Sequence, residues 1–93
     1  MKTYRRSEKK NDQLKQSRGI SFEEVVLTLE SGGLLDVLAH PNPRRYPNQQ
    51  VFVVAVMQYV YLVPHIEEPD HVFLKTVIPS RKATRDYGRQ GEP

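Results

Sequence analysis

The chain has 93 residues, 38% hydrophobic and 27% charged, which suits one small domain with a modest core and a gain from a partner. It holds no cysteine, which excludes a disulfide framework, a thiolate nucleophile and Cys-ligated zinc or iron–sulfur centres. Charge is segregated: residues 1–18 carry a net +5, residues 19–74 a net −5 and residues 75–93 a net +3.

The basic start, MKTYRRSEKK, has no apolar stretch behind it and does not read as a secretory signal. The longest apolar run, Val51 to Met57, is too short to cross a bilayer, so a cytoplasmic domain with no membrane contact is expected. If the fold gathers the two basic ends, they form one surface suited to nucleic acid. The plainer alternative is a pair of solubilising termini.

Ser7 to Arg18 reads as a polar surface helix, capped by Ser7 and stopped by Gly19, with Leu14 its one strong apolar residue. A second helix starts at Ser21. Glu24 three residues on completes a capping box, Ile20 and Val25 form a hydrophobic staple, and Phe22, Val25, Val26 and Leu29 share one face. Gly32-Gly33 ends it. Leu34 to Leu38 is a short apolar strand, and the segment from His40 to Asn48 is a loop, because its three prolines hold neither regular ladder. Val51 to Val56 and Tyr59 to His65 are strands joined at Met57-Gln58, a tight hairpin without the usual Gly or Asn. A turn at 67–70 leads into a fourth strand, His71 to Ile78. Residues 88–93 read as a disordered tail. The whole is an α+β domain over 1–87, with two N-terminal helices on one face of a mainly antiparallel four-stranded sheet.

Alternation pairs the aliphatic sets Val60/Leu62 and Val72/Leu74/Thr76/Ile78 with the helices. That leaves Tyr59, Tyr61, His65, Phe73 and Lys75 on an uncovered face that could stack bases and hold phosphates. Off the last strand, Pro79 is followed by the basic block Ser80 to Tyr87, containing Arg81, Lys82 and Arg85. No Gly-rich phosphate loop, G-x-S-x-G, H-E-x-x-H or magnesium-binding carboxylate cluster is present, so no metal or cofactor is expected.

Two stretches carry a resemblance. Lys15-Gln16-Ser17-Arg18-Gly19-Ile20-Ser21-Phe22-Glu23-Glu24 resembles the K-H-G-[IV]-S-F-E-E start of the second helix in BrnT-type toxins, with Arg18 in place of the histidine. Ile78-Pro79-Ser80-Arg81-Lys82-Ala83-Thr84 resembles the family's I-S-A-R-x-A, with Pro79-Ser80 in place of Ser-Ala. The resemblance implies a RelE-like fold and a metal-independent endoribonuclease, the toxin of a type II toxin–antitoxin pair. Its implied partners are an RNA substrate and a cognate DNA-binding antitoxin. Arg81 is then the family's motif arginine and the first candidate to hold the scissile phosphate, with Lys75 second. His65 is the candidate acid or base, and Tyr87 a hydroxyl donor. Arg44, Arg45, Tyr59, Tyr61, Lys82 and Arg85 are expected to bind RNA. The alternative is a non-catalytic RNA- or protein-binding module on the same fold.

Overall fold

The computed structural model describes residues 2–88. The chain runs β1 (Thr3–Arg6), α1 (Glu8–Arg18), α2 (Phe22–Glu30), β2 (Leu34–Ala39), β3 (Gln49–Val56), β4 (Tyr59–Glu67), β5 (His71–Leu74), β6 (Ile78–Pro79) and α3 (Arg81–Gly88). It is an α+β fold with a mixed, mostly antiparallel sheet in the order β1-β5-β4-β3-β2, β6 adding to β4. Against the expected four strands and two helices, the described residues form six strands and three helices. β1, parallel to β5, lies in the basic start, to which no element is assigned from the sequence. Of the expected tail, Gly88 ends α3 and the rest lies outside the described residues.

The two N-terminal helices form where their caps predict. Ser7 and Ser21 accept from the backbone N–H three residues on, and Gly19 ends α1 at φ +65°. The capping box is half formed: the Glu24 carboxylate takes the Ser21 hydroxyl at 3.3 Å instead of its backbone N–H. A buried side chain ties the helices together. Asn11 on α1 accepts from the Phe22 N–H at 2.8 Å and donates to Glu23. Glu23 also meets Arg6 at 3.0 Å and Lys15 at 3.5 Å. The Asn11 hydrogen bond first, then these cations, hold its carboxyl below the usual range.

One core lies between these helices and the sheet, built from Leu14, Ile20, Phe22, Val25, Phe52, Val54, Val63, Val72, Leu74 and Val77 among others. A smaller one, Val53, Val60 and Ala83 with Leu62 and Tyr87, lies on the opposite face under α3. Both faces of the sheet are therefore partly covered.

Two irregularities decide which side chain faces where. Met57 and Gln58 make the β3–β4 turn at φ +50° and +68°, the left-handed pair that a two-residue hairpin needs. The expected fourth strand is broken by one extra residue. Phe73 pairs with Ile66 and Leu74 with His65, but Ile78 pairs with Leu62 and Pro79 with Tyr61. The insertion falls opposite Pro64. The Lys75 N–H donates to the Pro64 carbonyl at 2.9 Å, so that residue's backbone points toward β5, where proline has no N–H to return. The bulge reverses the alternation and turns Val77 into the main core, leaving Ile78 exposed on the other side. Arg18 donates to the Val77 carbonyl and pins the detour to α1.

Candidate nucleic-acid interface

The β4–β5 register sets even-numbered β4 residues beside odd-numbered β5 residues. The face opposite α1 and α2 therefore carries Val60, Leu62, Pro64 and Ile66 from β4, with His71 and Phe73 from β5. Arg5 and Thr3 of β1 lie beside Phe73 and His71. α3 covers Val60 and Leu62 and leaves the β1–β5 half of this face open.

α3 begins where Pro79 ends the ladder. The Ser80 hydroxyl accepts from the Ala83 N–H at 3.1 Å, and the Thr84 hydroxyl accepts from the Val60 N–H at 2.9 Å, so the cap and a strand edge share one anchor. Ala83 and Tyr87 pack inward. Arg81, Lys82 and Arg85 point outward and are exposed, with Arg85 3.6 Å from Asp86. The helix is thus strongly amphipathic, with three cations on its free side.

Several expected site residues lie elsewhere. His65 is fully buried on the face under α1 and α2. Its ring stacks on Phe52 at 3.6 Å between centroids, its Nδ1 donates to the Val63 carbonyl at 3.1 Å, and Nε2 has no partner. Burial pushes its pKa down, opposed by the Val63 hydrogen bond and Glu67. It has no access to a substrate, which corrects its assignment as acid or base. Tyr59 and Tyr61, with rings 5.4 Å apart, also lie on that covered face, where Tyr61 packs against the main core. Odd-numbered β4 residues all share that face, which is why these three left the predicted platform together.

Tyr87 does not offer a free hydroxyl. It donates to Asp36 Oδ2 at 3.0 Å, a bond that raises its pKa and ties α3 to β2. Lys75 is exposed and donates to Gln49 at 3.3 Å. Its main chain is level with Pro64, whereas Ser80 is level with Val60. Four residues of β4, roughly 13 Å of strand, separate the two main-chain positions. Arg44 and Arg45 are exposed on the β2–β3 loop, which is braced by His40 packing tilted against Tyr46, ring centroids 4.4 Å apart, and by Arg45 over the Tyr46 ring at 5.5 Å.

Two residues outside the expected set occupy the open half. Arg5 faces it from β1. His71, the first residue of β5, stands beside Arg5 and Phe73 with its Nδ1 2.8 Å from the Asp70 carboxylate. That bond holds the Asp70 carboxyl below its usual range. The only sequence signal for Arg5 was the alternation in Thr3-Tyr4-Arg5-Arg6, four residues long. Among the described residues no group of three or more His, Asp or Glu side chains is placed to hold a metal, and no helix is long and apolar enough to cross a membrane. The chain matches no family model, no curated protein and no solved structure.

Proposed function

We propose that this protein binds single-stranded RNA along α3 and the open half of the sheet, and cleaves it as the metal-independent ribonuclease toxin of a type II toxin–antitoxin pair. The observation that carries the RNA reading is the pairing of a helix bearing three outward cations with an open sheet surface holding Phe73, Arg5, His71 and Lys75. An aromatic face stacks a base of any identity, and spaced cations follow a phosphate backbone. Cleavage, the RelE-like arrangement and a DNA-binding antitoxin partner rest on the resemblance to BrnT-type toxins.

The placement of residues redistributes the chemical roles. With His65 enclosed, the imidazole that can reach RNA on this face is His71. A proton on Nδ1, donated to Asp70, leaves Nε2 to accept the 2′-OH proton. Arg5 and Lys75 are the cations nearest along the same strands to stabilise charge on the phosphate. Arg81, with Lys82 and Arg85, holds the backbone of the strand as it crosses α3.

A second reading, RNA binding without cleavage, is favoured by the burial of the histidine first expected to act. Incubation of the purified protein with RNA in EDTA, followed by mapping of new ends, separates the two. Wild type is expected to cut, His71→Gln to bind without cutting, and Arg81→Ala to weaken binding. In bacteria, induction of wild type arrests growth and His71→Gln does not. Binding with no new ends establishes the second reading, and absence of RNA binding refutes both.

A further inference from the structure

Among the described residues, four of the seven exposed large hydrophobic side chains belong to β2: Leu34, Leu35, Val37 and Leu38, each 40–42% exposed. β2 is also the last strand of the sheet. The His40 N–H donates inward to the Gln49 carbonyl at 3.2 Å, so alternation turns the N–H groups of Val37 and Ala39 toward the open edge. β2 contains no lysine and no proline, the residues that commonly keep such an edge from pairing.

The Val37 N–H is nevertheless occupied. Asp36 folds its carboxylate back along the edge and accepts from it at 2.8 Å through Oδ1. The other oxygen, Oδ2, accepts from the Tyr87 hydroxyl at 3.0 Å. A side chain on the opposite face of the sheet from the main core, delivered by α3, therefore holds a carboxylate over the edge of β2.

We propose that Asp36, held by Tyr87, is a plug on this edge, and that its removal lets β2 pair with β2 of a second copy of this chain. The strand is self-complementary in the antiparallel sense. A two-fold axis at Val37 sets Val37 of one copy against Val37 of the other, and each Asp36 against a Leu38. Moving the axis to Asp36 would oppose two carboxylates, which disfavours that register. The pairing joins two sheets into one and covers aliphatic surface that is exposed in the single chain. Docking of α3 thereby controls the edge: a ligand that lifts α3 withdraws Tyr87 and frees Asp36. The inference does not depend on the RNA reading.

Light scattering on the full chain across concentration tests it. Wild type is expected at its monomer mass of 10.8 kDa. Asp36→Ala and Tyr87→Phe are expected to approach twice that mass as concentration rises. Asp36→Asn, whose Oδ1 still accepts from the Val37 N–H while its Nδ2 donates to the Tyr87 hydroxyl oxygen, is expected to stay monomeric. Adding Val37→Lys to Asp36→Ala sets two ammonium groups face to face and is expected to restore the monomer. Circular dichroism confirms folding, and Tyr87→Phe carries the test alone if Asp36→Ala does not fold. Folded plug variants that remain monomeric overturn the proposal. So does wild type that dimerises as readily as they do, or association that Val37→Lys leaves unchanged.

Discussion

His65 shows how a single environment changes what a side chain is for. An imidazole with no solvent contact, one ring nitrogen on the Val63 carbonyl and the other unpartnered is stable in the neutral form. Its folded pKa lies below the unfolded value of about 6.5, so the unfolded chain binds the proton more readily. Stability is therefore highest above that value and falls as pH drops toward the folded pKa. Urea titrations at pH 8 and pH 5 are expected to show this loss, and His65→Phe, which keeps the ring against Phe52, is expected to flatten it. A slope equal to wild type in His65→Phe would place the sensitivity in other groups. Asn11 makes the complementary point, since a buried amide is retained because both its ends are used, one on the Phe22 N–H and the other on Glu23.

In the β3–β4 hairpin, sequence preference and conformation disagree. Met57 and Gln58 hold positive φ with side chains that gain little from it, and both are exposed. Each L-residue in that region costs roughly 1–2 kcal/mol, which Asn and Gly largely avoid. After the extra unfolded-state freedom of Gly and the residual cost to Asn are subtracted, Met57→Asn with Gln58→Gly is expected to stabilise the protein by about 1–2 kcal/mol, raising Tm by roughly 4–8 °C per kcal/mol in a domain this small. Calorimetry on the double variant measures it, and an unchanged Tm would mean that packing around the turn already relieves the strain. The break between β5 and β6 has a similarly local cause. Pro64 removes one donor from β4, the neighbouring strand slips by a residue, and Val77 rather than Ile78 enters the core.

For the molecule as a whole, α3 is the element on which both functional proposals turn. Its inner side closes a second small core, its outer side carries Arg81, Lys82 and Arg85, and its last turn reaches Asp36. If these cations lie on RNA phosphates, replacing any one by Ala lowers the slope of log affinity against log salt by about 0.7 for a single strand. Lys9→Ala on α1, across the sheet, is expected to leave the slope unchanged. Fluorescence anisotropy with a labelled oligonucleotide at several salt concentrations reads both. Equal slopes in all variants would remove α3 from the interface.

Much of this architecture is local and could be read from residues near one another in the chain. Ser7, Gly19, Ser21 and the Phe22/Val25 face define the two N-terminal helices, because capping and 3.6-residue periodicity act within a turn or two. The loop with three prolines, the hairpin at Met57-Gln58 and the basic block after Pro79 follow from equally short-range rules. Alternation also sorted each strand into two sets of side chains. It could not say which set of β4 joins which set of β5, because that depends on a register set between strands and a one-residue shift exchanges the faces. For that reason Tyr59, Tyr61 and His65 moved under the helices while Phe73 and Lys75 stayed outside. The seat of α3 on the opposite face, the pairing of β1 beside β5 and the reach of Tyr87 to Asp36 join residues far apart in sequence. Such contacts form only when the packed chain brings them together.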